Sequence, residues 1–301
     1  MENIKNLITK KILGTVSLNV PLKEYTSFKI GGMADLFICP NNLMELINAL
    51  DILKENKVSY FLLGAGSNLL ISDKGIRGAV IKLGDGFDYA YAKDDYILAG
   101  AGVSLASLAT CAKNAELSGL EFASGIPGSL GGALFMNAGA YGGEMKDVVT
   151  EVSYIDADGT VKTIPCSECD FGYRKSVFSS GDKIIISAKF TLKKGNKEEI
   201  SKTMRELNAK RKEKQPLEYP SAGSTFKRPE GHFAGSLIEQ SGLKGFSVGG
   251  AQVSEKHAGF VINTGDATAK DVCDLIKHVQ KTVFEKFNVE LEPEVKITGE
   301  E

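Results

Sequence analysis

Histidine and cysteine are scarce in this sequence, and both shortages exclude classes of function. The 301-residue chain has three histidines, His232, His257 and His278, all in its C-terminal third. So few histidines, all in one part of the chain, disfavour a Ser-His-Asp hydrolase and a histidine-rich metal site. The five cysteines are scattered, and the closest pair is Cys166 and Cys169. Their odd number and scatter argue against a disulfide framework. The lone C-x-x-C argues against a zinc site and, less strongly, a redox pair, so we expect no bound metal.

The signature motifs of the common nucleotide-binding enzymes are also missing. No Gly-x-x-x-x-Gly-Lys-Ser/Thr occurs, which argues against a P-loop NTPase. The Gly-x-Gly pairs at 64/66, 84/86 and 100/102 lack the third glycine of the Rossmann fingerprint. No Gly-x-Ser-x-Gly elbow exists, so an α/β-hydrolase has no nucleophile motif. If the chain binds a dinucleotide, another fold must hold it.

Neither charge nor hydropathy indicates nucleic acid or a membrane. The net charge is −2, and 43% hydrophobic with 25% charged residues is ordinary for a globular protein. The basic run 210–214 is typical of a solvated helix end, where cations complement the helix dipole. Residues 122–143 are uncharged, but their glycines and Pro127 disfavour a spanning helix. Met1–Gly14 lacks the apolar core of a signal peptide, so we expect a cytoplasmic protein.

Glycine, in contrast, is concentrated in two uncharged segments. Residues 125–142 contain six glycines and no charged side chain, and residues 63–70 read Leu-Gly-Ala-Gly-Ser-Asn-Leu-Leu. Glycine permits left-handed backbone and close approach, and successive backbone amides can form a nest for an anion where a helix begins. A single loop of this kind is more often structural. Two of them favour a ligand with a diphosphate and flat rings, such as a dinucleotide.

The periodicity of apolar residues predicts an α+β fold. At roughly 150 residues per domain the length indicates about two domains, with a boundary near residues 195–220. Asn41 or Asn42, Ser104 and Thr268 are predicted helix caps, and residues 148–164 are predicted to form a hairpin around Asp158-Gly159. The predicted strands are 34–39, 58–63, 79–83, 96–99, 148–155, 160–164, 184–192 and 291–297, and the predicted helices follow Pro40 and cover 104–117, 198–214 and 268–287.

Several motifs, taken together and in order, resemble the bacterial UDP-N-acetylenolpyruvoylglucosamine reductase family. The resemblance extends from about residue 20 to the C-terminus. Each motif alone is weak, but the set is specific. The motifs are Tyr25-Thr26-Ser27-Phe28-Lys29-Ile30-Gly31-Gly32, the two glycine-rich segments, Gly172-Tyr173-Arg174-Lys175-Ser176, Gly223-Ser224-Thr225-Phe226-Lys227-Arg228-Pro229 and Glu292-Pro293-Glu294-Val295.

The resemblance implies an FAD-binding domain of the vanillyl-alcohol-oxidase (PCMH) type with two α+β subdomains, followed by a C-terminal α+β substrate domain. We place these parts at residues 1–80, 81–196 and 197–301. The implied reaction is the reduction of the enolpyruvyl ether of UDP-N-acetylglucosamine to UDP-N-acetylmuramate for peptidoglycan, with NADPH as the electron donor. No tyrosine-bearing insertion is evident in the third part, so the chain resembles the shorter, type II variant. We expect a monomer that binds a small-molecule substrate.

The resemblance also assigns residues to this chemistry. Arg174 would hold the substrate carboxylate, Ser224 would deliver a proton to C2, and Glu294 would support the developing anion if it is protonated or tightly hydrogen-bonded. Lys214 and Arg228 are candidates for the substrate diphosphate, and Tyr173 for the substrate site. No histidine lies in the flavin loops, so we expect noncovalent FAD. The expected FAD contacts are Gly64, Ala65, Gly66, Ser67, Asn68, Leu69, Gly125, Ile126, Pro127, Gly128, Ser129, Gly131, Gly132, Asn137, Gly139 and Ala140.

Two alternatives remain open at this point. The same fold could serve an FAD oxidase or dehydrogenase that acts on an alcohol or a sugar, and rapid reaction of its reduced flavin with oxygen would indicate it. A protein that binds nucleotides or polyanions without catalysis would be colourless, or its binding would depend strongly on salt.

Overall fold

The structure is a computed structural model that describes residues 1–300, and its contacts divide the chain into two units. The chain changes unit five times, and the last change, between Arg211 and Lys212, lies in the region 195–220 predicted to hold a boundary. The three-part division proposed above is finer than this and stays a prediction. The first unit contains Met1–Leu18, Leu36–Ala65 and Ala79–Arg211, and the second contains Asn19–Asp35, Gly66–Gly78 and Lys212–Glu301.

Helices and strands alternate irregularly along the chain, as expected for an α+β protein. Within residues 1–300 the helices are α1 (Glu2–Thr9), α2 (Leu43–Glu55), α3 (Leu105–Asn114), α4 (Leu130–Phe135), α5 (Lys197–Lys214), α6 (Ala234–Gln240) and α7 (Ala269–Phe287). The strands are β1 (Thr15–Pro21), β2 (Met33–Cys39), β3 (Tyr60–Leu63), β4 (Leu69–Ile71), β5 (Ile76–Lys82), β6 (Ala90–Lys93), β7 (Tyr96–Gly100), β8 (Leu117–Ser118), β9 (Gly139–Ala140), β10 (Gly143–Glu144), β11 (Val149–Ile155), β12 (Val161–Pro165), β13 (Ile184–Thr191), β14 (Lys193–Lys194), β15 (Ser221–Ser224), β16 (Ser247–Val248), β17 (Ala251–Val253), β18 (Phe260–Asn263) and β19 (Lys296–Thr298).

The beginning of the chain confirms the predicted strand–helix–strand unit. Strands β2 and β3 flank β5 in a four-stranded sheet of order β1-β2-β5-β3, and β3 runs parallel to β5. Helix α2 connects β2 to β3, and its cap is Asn42, whose side chain accepts a hydrogen bond from the Glu45 amide at 3.0 Å. Strand β3 ends at Leu63, so the first glycine-rich segment begins where this strand ends.

The first unit contains an antiparallel five-stranded sheet of order β12-β11-β13-β7-β6. The predicted hairpin is confirmed, since β11 pairs with β12 from Glu151 opposite Pro165 to Ile155 opposite Val161. Its turn places Gly159 at φ +88°, a conformation that glycine adopts without steric cost. Apolar residues of this sheet, of α3 and of α4 form one buried core around Leu108, Leu134 and Phe190.

The second unit is built on the four-stranded antiparallel sheet β15-β18-β17-β16. Helix α7 packs on it with an apolar stripe that includes Val272, Leu275 and Val279, all fully buried. The predicted cap is confirmed, because the Thr268 hydroxyl and the Asp271 carboxylate each accept the other residue's backbone amide at 3.0 Å. The C-terminal strand β19 runs parallel to β4 and places the two beside each other in this unit.

Three local predictions are wrong, and long-range hydrogen bonds explain the first two. Helix α3 ends at Asn114 rather than at residue 117, because Leu117 and Ser118 form β8 and pair with β14. Residues 291–295 do not form a regular strand. Their backbone–backbone hydrogen bonds go to the loop that follows β15, and only β19 pairs with another strand, β4. The apolar spacing along residues 268–287 also predicts Phe284 to lie in the buried stripe of α7, but its side chain is 47% exposed.

Within residues 1–300, no helix combines the length and the apolar composition that crossing a membrane requires. In the uncharged stretch 122–143, the only α-helix is α4, which has six residues.

Candidate active site

The first glycine-rich loop makes close backbone contact with the Tyr25–Gly32 motif. Gly66 has φ +64°, and a Cβ atom placed on it would lie 2.1 Å from the carbonyl oxygen of Tyr25. The Ser27 amide donates to the Gly66 carbonyl at 3.1 Å. Both the left-handed backbone and the missing side chain at Gly66 are therefore required where the two segments contact each other.

Replacing Gly66 with alanine should therefore damage the loop more than an ordinary Gly→Ala change. Left-handed backbone alone costs a non-glycine residue about 1–2 kcal/mol, and at Gly66 the Tyr25 carbonyl must also move. We expect Gly66→Ala to lower the unfolding midpoint and the flavin content of the purified protein. Gly159→Ala is the matched control, because Gly159 has φ +88° and a Cβ added to it would have no atom within 4 Å. Equal midpoints and full flavin content in both variants would contradict this account.

The second glycine-rich loop is fastened to the turn between β7 and α3. The Leu105 amide donates to the Gly128 carbonyl at 3.0 Å, and the Leu130 and Gly131 amides donate to the Val103 and Ala101 carbonyls at 2.9 and 2.8 Å. These two amides at the start of α4 are engaged within the protein. They do not form the anion nest that the sequence suggested at a helix start.

The two loops nevertheless meet within the first unit at Ser129. A Cβ placed on Gly64 would lie 2.9 Å from the Ser129 hydroxyl oxygen, and one on Gly132 would lie 3.6 Å from it. The backbone of both loops therefore lies close to the Ser129 hydroxyl. Even a methyl group at Gly64 would be too close to that hydroxyl. Glycines on both loops leave room for a close approach to the backbone, which suits the diphosphate of a dinucleotide, so the residues present fit FAD.

Helix α5 contributes side chains to the second loop that the sequence reasoning missed. A Cβ on Gly125 would lie 2.2 Å from the Asn208 side-chain oxygen and 3.4 Å from the Arg211 Cδ atom. Burial lowers the pKa of the Arg211 guanidinium, an effect opposed by Tyr141. The sequence shows the three-residue spacing of Asn208 and Arg211, but it predicts only a solvated helix end at residues 210–214 and no contact with this loop.

Asn137 joins the second loop to the segment that carries Arg174. This buried residue has φ +45°, and its side-chain amide donates to the Glu144 carboxylate at 2.6 Å and to the Gly172 carbonyl at 3.1 Å. Its side-chain oxygen accepts the Lys146 amide at 3.0 Å. The polar atoms of Asn137 are therefore used inside the protein, and its contact with a cofactor stays a prediction.

Arg174 lies at the tip of a tight turn. The Gly172 amide donates to the Lys175 carbonyl at 2.9 Å, and the reverse bond measures 3.3 Å. Arg174 itself has φ +56°, which is uncommon outside glycine, and its guanidinium carbon lies 5.3 Å from the centre of the Tyr173 ring. Ser176 anchors the turn, because its hydroxyl donates to the Phe135 carbonyl at the end of α4 at 2.7 Å. The turn thus presents a cation whose backbone is fixed.

Ser224 and Glu294 are brought together in the second unit. Ser224 is exposed at the end of β15, and the next residue, Thr225, accepts the Glu294 amide on its carbonyl at 2.8 Å. Glu294 is 8% exposed, and its own carbonyl accepts a hydrogen bond from the Asn68 side chain at 3.2 Å. The Glu294 backbone therefore connects the residue next to Ser224 with Asn68 of the first glycine-rich loop.

The remaining cationic candidates also lie in the second unit. Lys214 is exposed at the end of α5, and the guanidinium carbon of Arg228 lies 4.0 Å from the Phe233 ring centre. Burial lowers the pKa of His257, and the charges of Lys244 and Lys214 act in the same direction. His257 accepts the Gly259 amide on Nδ1 at 3.1 Å, which indicates a structural role.

The cysteine pair offers no reactive thiol. All five cysteines are free, and burial raises the pKa of Cys169 to about 12 and that of Cys166 above its ordinary value. Thiols of this kind stay protonated at neutral pH, and the thiolate is the reactive form. Within residues 1–300, no cluster of three or more His, Cys, Asp or Glu side chains could hold a metal ion.

Known proteins resemble this chain over its whole length. Residues 34–165 match the FAD binding domain family, and residues 215–298 match the family described as UDP-N-acetylenolpyruvoylglucosamine reductase, C-terminal domain. The UDP-N-acetylenolpyruvoylglucosamine reductase of Caldanaerobacter subterraneus subsp. tengcongensis is 54% identical over 100% of this chain and 98% of its own length. The protein of the same name from Clostridioides difficile is 48% identical over 99% and 97%.

A solved structure extends the similarity to three dimensions. The crystal structure of UDP-N-acetylenolpyruvylglucosamine reductase from Thermus caldophilus superposes with a TM-score of 0.82 at 39% identity. The match covers 95% of this chain and 99% of that one. Fold, domain content and sequence therefore lead to the same relatives, and the predicted α+β architecture with an FAD-binding domain and a separate C-terminal domain is confirmed.

Proposed function

The chain belongs to the UDP-N-acetylenolpyruvoylglucosamine reductase family, and from this premise we propose that it reduces the enolpyruvyl ether of UDP-N-acetylglucosamine to UDP-N-acetylmuramate. The product is a precursor of peptidoglycan. The observation that carries the proposal is that the Glu294 backbone bonds both Asn68 and Thr225, the residue after Ser224, because this supports an acid–base pair beside a loop suited to a flavin. FAD, when bound, would accept a hydride from NADPH and supply it to C3 of the substrate.

The substrate's own chemistry defines what the protein must do. Addition of a hydride to C3 of an enol ether that bears a carboxylate leaves negative charge on C2, which spreads into the carboxylate. A cation at the carboxylate stabilises that charge, and a proton must then reach C2. The protein therefore needs one fixed cation and one proton donor, with a group near the donor that can support it.

We assign these requirements to residues of this chain. Arg174 would hold the carboxylate with its planar fork, which offers two parallel hydrogen bonds. Ser224 would donate the proton to C2, since its hydroxyl is exposed on an otherwise anchored strand. The buried Glu294 would support the anion from the neighbouring segment. Lys214 and Arg228 would bind the diphosphate, and the exposed ring of Tyr173 would contact the substrate.

Cofactor binding, domain organisation and location complete the proposal. FAD would be bound noncovalently by the two glycine-rich loops, in a chain organised as residues 1–80, 81–196 and 197–301. We propose that the enzyme acts as a monomer in the cytoplasm, where NADPH and nucleotide sugars are available. Five free cysteines are consistent with that reducing compartment.

The visible absorption spectrum tests the proposal directly. We expect flavin bands that bleach on anaerobic addition of NADPH and return when the enolpyruvyl nucleotide is added. Bleaching that the nucleotide does not reverse would replace this function by the oxidase alternative, which rapid reoxidation in air would then support. A colourless protein that also fails to take up added FAD would overturn the flavin assignment.

A further inference from the structure

Ser27 connects the first glycine-rich loop to the strand that carries Ser224. Its hydroxyl donates to the Ser221 carbonyl of β15 at 2.6 Å, and its amide donates to the Gly66 carbonyl at 3.1 Å. All three residues lie in the second unit. A single small residue thus bonds the backbone of both segments at once.

The segment around Ser27 is firmly anchored. The neighbouring residues Thr26 and Phe28 are 2% and 1% exposed, and the Thr26 hydroxyl donates to the Ile30 carbonyl at 3.0 Å. The buried side chain of Asn263 donates to the Phe28 carbonyl at 3.1 Å. The backbone on either side of Ser27 is therefore held in place, so its hydroxyl can restrain β15.

Strand β15, in contrast, is irregular just before Ser224. Ser221 pairs with Ile262 and Ser224 pairs with Phe260, with a shift of register between the two pairs. Gly223 lies in this irregularity with φ +76°. A bulge with a left-handed glycine bends a strand and changes the direction of the following side chain. The direction of Ser224 therefore depends on how the bulge is held.

The hydrogen bonds of the strand hold the bulge on both sides. After it, the Thr225 amide donates to the Gly259 carbonyl at 2.8 Å, and Val261 donates to the Thr225 hydroxyl at 2.9 Å. Before it, the Ser221 carbonyl accepts the Ser27 hydroxyl. Without the Ser27 hydroxyl, the strand keeps its hydrogen bonds after the bulge and loses its bond to Ser27, whose amide is in turn bonded to the first glycine-rich loop.

We propose that Ser27 is a positioning residue for Ser224: its hydroxyl fixes the bulged strand relative to the first glycine-rich loop. The inference rests on the proposed function, because it assigns to Ser27 the alignment of the proton donor. Ser27 itself has no role in proton transfer. Misplacement of a reacting group by 1 Å can lower the rate roughly 100-fold. Loss of the hydrogen bond from Ser27 to Ser221 should therefore change the rate of substrate reduction measurably.

Rapid-reaction kinetics on the FAD-loaded protein separate the two half-reactions. We expect Ser27→Ala to reoxidise roughly 10- to 100-fold more slowly with the enolpyruvyl nucleotide, while reduction by NADPH is unchanged. Ser27→Thr keeps the hydroxyl and should restore the rate. Thr264→Val, which removes a 2.9 Å hydroxyl bond to the Gly250 carbonyl in the same unit, is the control and should react normally.

Hydrogen exchange by mass spectrometry gives a readout that does not depend on turnover. We expect faster amide exchange in residues 221–226 of Ser27→Ala, with an unfolding midpoint lowered by only about 2–4 °C. Unchanged exchange in this segment would contradict a tether at Ser27. A large fall in the midpoint with normal reoxidation would assign Ser27 to folding alone.

The double variant Ser27→Ala/Ser224→Ala distinguishes this inference from the function on which it rests. If Ser27 acts through Ser224, its removal should cause no further loss in the Ser224→Ala background, because residues that act as a unit are not additive. An equal loss in both backgrounds would overturn the inference and leave the function intact. Normal reoxidation of Ser224→Ala alone would instead overturn the proton-donor assignment.

Discussion

Ser224→Ala should slow substrate reduction by roughly 10²–10⁴-fold, the range typical for loss of a general acid. FAD content and bleaching by NADPH should stay at the level of the unchanged protein. The half-reactions separate because only the second one requires a proton at C2. Stopped-flow absorbance at the flavin band, recorded for each half-reaction, measures both rates.

In the structure, the hydrogen bonds around Ser224 do not depend on its side chain. Ser224 is exposed, and the bonds that hold its surroundings come from the Thr225 backbone and hydroxyl and from the Ser221 carbonyl. An alanine at position 224 leaves all of them in place. Ser247→Ala, an exposed serine of β16 in the same unit, is the matched control and should behave normally. Equal reoxidation rates in the two variants would remove Ser224 from the mechanism.

Local signals in the sequence predicted much of the fold. The capping box of α7 depends on Thr268 and Asp271, three residues apart, and the hairpin turn depends on Asp158-Gly159. Such interactions join residues only a few positions apart, so local propensity and periodicity are enough to predict them. The α+β class and the glycine-rich loops follow from the same kind of pattern.

Long-range pairing explains what the sequence did not predict. Leu117 belongs to a strand because β14 lies beside it, although the local pattern continues the helix. The contacts of Asn137 with Gly172 and of Ser27 with Ser221 span 35 and 194 residues, and no local pattern indicates them. The candidate site was located by motifs, whereas the bonds that position its residues became visible only in the folded chain.

The anion nest at α4 illustrates the limit of reasoning from composition. A glycine-rich segment before a helix predicts available backbone amides, and such amides bind phosphates well. In the folded chain the Leu130 and Gly131 amides instead bond the carbonyls of Val103 and Ala101. Glycine at position 131 therefore serves close packing, since a Cβ there would lie 3.2 Å from the Ala101 side chain.

Arg174→Ala should lower kcat/KM with the enolpyruvyl nucleotide while FAD content stays unchanged. Removal of one partner of a buried, hydrogen-bonded charge pair costs about 2–5 kcal/mol, which corresponds to roughly 30- to 4,000-fold. Arg174→Lys keeps the charge without the planar fork and should recover part of the loss. Lys175→Ala is the control, because this exposed neighbour forms a surface ion pair with Asp170 at 2.7 Å, a contact of little energetic value.

The variant Arg174→Gly distinguishes the effect of the side chain on turnover from the effect of the left-handed backbone on stability. Arg174 has φ +56°, where a non-glycine residue costs about 1–2 kcal/mol, while glycine loses about 0.5–1 kcal/mol of conformational entropy instead. Arg174→Gly should therefore unfold at a temperature no lower than Arg174→Ala, yet be equally impaired in turnover. Such strain persists where the surrounding structure enforces it, and Ser176 and Asn137 do so here. A loss of flavin in either variant would show that Arg174 serves the cofactor loops rather than the substrate carboxylate.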